Sequence, residues 1–96
     1  MGKRRPYWRA LGTPATLMLY RTPERWRYAI YFAPGGVACG GLDDPPPSSN
    51  PGGAQVAVHR GAEEFTHREL EVTWNEADEP DRWTGVVTNA GPLPPP

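Results

Sequence analysis

Between Arg25 and Ala33 the chain alternates strictly. Trp26, Tyr28, Ile30 and Phe32 are large and apolar, while Arg25, Arg27, Ala29 and Tyr31 point the other way. A period of two is the signature of a β-strand with one face buried. It predicts a strand over 25–33 whose rings go inward and whose guanidinium groups stay wet. "TLMLYR" (16–21) reads as a shorter strand covered on both faces, and "TPE" turns the chain between the two, with Pro23 presetting φ. "PGG" (34–36) is a tight turn. "VACGGL" (37–42) is a poorer third strand, weakened by Gly40 and Gly41, at an edge or a bulge.

The pattern then changes. "DDPPPSSNPGG" (43–53) has too many prolines and too little to bury to be a strand, so it is a loop. Its end suits a helix start, with Asn50 as cap and Pro51 at the first helical position. The predicted helix covers 54–68. At 3.6 residues per turn, Ala54, Ala57, Val58, Gly61, Ala62 and Phe65 share one face, with Phe65 as the main anchor. Alternation resumes in "ELEVTWN" (69–75), with Leu70, Val72 and Trp74 inward, and in "RWTGVVTN" (82–89), where Trp83 and Val87 share a face. The two tryptophans flank the turn 76–81 and are expected to pair across the hairpin.

The elements define one α+β domain. It is an antiparallel sheet of four to five strands with one helix packed on one face, in the order βββαββ. Its expected limits are 15–89, preceded by a basic arm (1–14) and followed by a Pro-rich tail (90–96). Ninety-six residues allow one core, for which four Trp, four Tyr and two Phe are good material. Cys39 is the only cysteine, so no disulfide staples the domain, and a reducing cytoplasm is the expected location. Arg9 and Pro14 interrupt any signal-peptide-like run, and no stretch is apolar enough to cross a bilayer.

The net charge of −1 hides a split. Lys3, Arg4, Arg5, Arg9, Arg21, Arg25 and Arg27 crowd the first third against Glu24. Glu63, Glu64, Glu69, Glu71, Glu76, Asp78, Glu79 and Asp81 crowd the last. Either the two groups neutralise each other across the sheet, or the basic one faces a polyanion. Arg4, Arg5, Trp8, Arg9, Arg21, Arg25, Arg27 and Tyr31 form the candidate binding surface, since arginines neutralise phosphates and aromatics stack on unpaired bases. Exposed Tyr and Arg also anchor protein partners.

Other chemistry is sparse. His59, Glu63 and His67 recur every four residues and lie opposite Phe65, where they read as a solvent-facing polar row rather than a metal site. Arg60, Glu64 and Arg68 form a second such row, of ordinary ion pairs. Asp43 and Asp44 suit a loop start. No Walker or dinucleotide fingerprint is present. The "PLPPP" end contains one PxxP spacing and reads as a disordered tail.

Three strands, a helix and a further strand, with the "YAIYF…GGVACGGL" hairpin placed before the helix, resemble in order the small ribonuclease-H-like domains. They are also similar to the partner-binding domain of HicB-type antitoxins, over residues 25–75. A ribonuclease-H-like site needs a carboxylate on the first strand, and "TLMLYR" has none, so no family residue carries across. The expected function is a non-catalytic interaction or regulatory module, without cofactor or metal, that binds a protein partner or a second copy of itself. The alternative is RNA or single-stranded DNA binding through the arm and the Arg/Tyr face of the second strand.

Overall fold

In the computed structural model, residues 12–92 are described. Among them, five strands and one helix follow one another as β1 (Thr13–Arg21), β2 (Trp26–Ala33), β3 (Val37–Gly41), α1 (Pro51–Thr66), β4 (Leu70–Glu76) and β5 (Arg82–Ala90). The strands form one sheet in the order β3-β2-β1-β5-β4, and every pairing is antiparallel. This is the α+β architecture the alternation predicts. The helix carries the chain from one sheet edge to the other. β5 then returns beside β1 and makes β1 the central strand. β1 starts at Thr13, inside the stretch expected to be arm, and Pro14 is buried.

The helix lies on the face that holds Leu17, Leu19, Trp26, Ile30, Phe32 and Leu70, and it adds Ala54, Val58 and Ala62 to the same core. Asn50 caps it as expected: its Oδ1 accepts the Gly52 N–H (2.8 Å), and Pro51 is the first helical residue. The buried stripe is Ala54, Val58, Ala62 and Thr66. This corrects the expected face at three positions. Gly61 is exposed, Ala57 is half-buried, and Phe65 sits at the margin, 6.4 Å from the Phe32 ring. Thr66 takes the anchor position because its hydroxyl donates back to the Ala62 carbonyl (2.7 Å) and enters the core with no unmet hydrogen bond.

The expected tryptophan pair across the β4–β5 hairpin is not formed. The register sets Trp74 opposite Gly85 and Trp83 opposite Glu76. The Trp83 ring instead meets Trp26 edge-on at 5.5 Å. Gly85 is buried where a Cβ would stand 2.7 Å from Val72 Cγ1 and 3.2 Å from the Trp74 ring, so only glycine lets β4 side chains close over β5.

Loop 42–50 is held by two side chains of the sheet. The Trp26 Nε1–H donates to the Pro46 carbonyl (3.0 Å) and the Ser49 hydroxyl (3.2 Å). The Arg21 guanidinium stacks over the Trp26 ring at 4.2 Å and donates to the Pro47 and Ser49 carbonyls. Prolines leave carbonyls without matching amides, and these two donors satisfy them.

Candidate interaction surface

β2 presents Trp26, Tyr28, Ile30 and Phe32 to the helix and Arg27, Ala29 and Tyr31 to the opposite side of the sheet. No element among the described residues covers that second side. Strand register arranges it in rows, because directly paired residues share a face. The first row reads Val37, Tyr31, Thr16, Val86 and Thr73 across β3, β2, β1, β5 and β4. The second reads Cys39, Ala29, Met18, Thr84 and Asn75. In the third are Gly41, Arg27, Tyr20 and Arg82.

The rows differ in character. Among the described residues four large hydrophobic side chains are exposed, and three of them, Val37 (48%), Tyr31 (42%) and Val86 (45%), stand in the first row. The fourth, Val56, is on the helix. The middle of the second row is low, with Ala29 buried and Met18 and Thr84 half-buried, while Cys39 and Asn75 at its ends are exposed. Arginine and tyrosine dominate the third. The Arg82 guanidinium stands 5.3 Å from the Tyr20 ring centre, and its Nε is 3.1 Å from Glu79. Arg27 is exposed and meets no carboxylate among the described residues.

This arrangement divides the candidate surface. Arg25, Arg27 and Tyr31 lie together on the open face, and the Arg25 chain runs beside Gly41 toward Asp43 (3.9 Å). Arg21 belongs to the other face. It shares strand parity with Leu17 and Leu19, and its Nε is 3.2 Å from Asp81 while the rest of its head binds loop 42–50. Arg4, Arg5, Trp8 and Arg9 lie outside the described residues. Sequence reasoning omitted Met18, Tyr20, Val37, Arg82 and Val86 from this surface. Alternation within "TLMLYR" was the available signal, since Thr16, Met18 and Tyr20 must oppose Leu17 and Leu19.

Of the row expected to face solvent, His67 is exposed, but His59 and Glu63 are half-buried. His59 Nε2–H donates to the Leu70 carbonyl (2.7 Å), and Glu63 accepts the Leu70 N–H (2.9 Å). The two side chains, 3.6 Å apart, thus pair both backbone groups of the first β4 residue and tie the helix to the sheet edge. His67 closes the helix in the left-handed region (φ 55°). Among the described residues, no three His, Cys, Asp or Glu side chains are placed to hold a metal ion. No helix among them is long and apolar enough to cross a membrane.

The chain matches no family model, no curated protein and no solved structure.

Proposed function

We propose that the chain is a non-catalytic interaction module that docks a protein partner on the open face of its sheet. The observation that carries this reading is the gathering of Val37, Tyr31 and Val86 into one row on a face that no element among the described residues covers. A two-layer domain has reason to keep such side chains polar on its wet side, and exposed apolar residues in one contiguous patch mark contact sites. Tyrosine and arginine beside them are the usual anchors of protein interfaces. His59 and Glu63, the adjacent imidazole and carboxylate of the helix, are engaged on the Leu70 backbone.

The nucleic-acid alternative joins the basic N-terminal arm, which lies outside the described residues, to Arg21, Arg25, Arg27 and Tyr31. Arg21 faces the opposite side of the sheet, which leaves that reading with less charge in one place.

The test uses three baits in the native host: the unaltered chain, Val86→Glu on the open face, and Val56→Glu on the outer helix face. A partner recovered with the unaltered chain and with Val56→Glu, but lost with Val86→Glu, is the expected result. Retention by Val86→Glu contradicts the proposal. Light scattering on the same samples reports whether the partner is a second copy.

A further inference from the structure

Resting on that reading, we infer that the partner presents an amphipathic helix with carboxylates along one flank, lying across the strands in the trough between the first and third rows. The dimensions fit. Along β2, Tyr31 and Arg27 are four residues apart, which separates the two outer rows by about 13 Å from backbone to backbone, so a helix rests on both rims and only its facing side chains enter between them. An α-helix with its side chains is about 10–12 Å wide. Five strands span about 19 Å, the length of roughly 13 helical residues.

The chemistry differs on the two sides of the trough. Val37, Tyr31 and Val86 offer an apolar wall. The floor is Cys39, Ala29, Met18 and Thr84, small except for an adaptable thioether. On the far side stand Arg27, Tyr20 and Arg82. Arg21, Arg25 and Arg82 each meet a carboxylate of their own chain, whereas Arg27 has none among the described residues. A helix with an apolar stripe toward the first row and Asp or Glu toward the third supplies what Arg27 lacks.

A second copy fits less well. The trough and its walls cover about 400 Å², half of the area each side of a stable interface buries. Stacking two sheets about a two-fold axis along β1 also brings Arg27 over Arg82 of the other copy.

A displayed library of helix-forming 16-residue peptides, selected on the immobilised full chain and then assayed against Val86→Glu, tests this directly. The expected winners carry Leu, Ile, Phe or Met at i, i+3 or i+4, and i+7, with Asp or Glu on one flank. Arg27→Glu weakens them about fivefold or more, and exchanging the flank acids for lysine restores binding to that variant. Arg27 and Val86 are exposed, and unchanged circular dichroism of both variants verifies that they fold. Winners that are basic or Pro-rich, acidic winners indifferent to Arg27→Glu, or no winners at all overturn the helix inference and leave the open-face reading standing. Winners that bind Val86→Glu equally well overturn that reading itself.

Discussion

Replacing Glu63 tests how the helix is fastened to the sheet. Its carboxylate accepts the Leu70 N–H at 2.9 Å, and Leu70 is only 5% exposed. Glu63→Ala leaves that amide without its acceptor at the covered start of an edge strand. A buried donor left unpaired costs about 1–3 kcal/mol. The Glu63 side chain is a third exposed, so water recovers part of the bond, and the lower half of that range applies, about 1–2 kcal/mol. In a domain of this size such a loss lowers the melting temperature by about 5–12 °C. Glu63→Gln keeps an acceptor oxygen in place and is expected to lose less than half as much. Thermal unfolding followed by circular dichroism measures both. His59→Ala removes the donor to the Leu70 carbonyl, and the double variant is expected to lose less than the sum of the two, because both act on one residue of β4. Equal losses for Glu63→Gln and Glu63→Ala, or no loss for either, would refute the fastening.

Other substitutions probe the remaining packing. Leu19→Ala, at a fully buried position of the central strand, is expected to cost about 2–5 kcal/mol in chemical denaturation. Gly85→Ala pushes a methyl group against Val72 and Trp74 and is expected to cost about 1–3 kcal/mol in the same assay. Trp26→Phe keeps a ring but deletes the donor to Pro46 and Ser49. Amide exchange at Ser49, whose N–H bonds the Pro46 carbonyl, is expected to accelerate with it while the β1–β5 amides stay protected. Val86→Glu is expected to change stability by about 1 kcal/mol or less, since the side chain already stands in solvent.

Periodicity carried most of the architecture. The alternation of β2 gave its buried and exposed faces correctly, and Asn50-Pro51 gave the helix start. The errors fall where a residue's environment is set by a distant segment. Phe65 and Thr66 are equally compatible with a stripe through Ala54, Val58 and Ala62, and hydropathy favours the wrong one. The threonine wins by bonding its own helix. His59 and Glu63 read as solvated because nothing nearby in sequence announces that the β4 edge passes beside them. Loop 42–50 owes its order to Trp26 and Arg21, which lie twenty or more residues from the groups they bind. Arg21 was a different kind of error. Counting by twos from Leu17 places it under the helix, and grouping it with Arg25 and Arg27 by charge overrode that parity. The open face was half legible. Arg27, Tyr31 and Thr73 were readable from their strands, but joining them to Val86 and Met18 requires that β5 returns beside β1, which no local pattern encodes.

The most direct test of the open face as the docking surface is photo-crosslinking in the native host, with a photoreactive residue placed at Val86, at Tyr31 or at Val56. The account predicts one discrete crosslinked product from Val86 and from Tyr31 and none from Val56. A product formed from Val56 alone, or from all three positions alike, would contradict it.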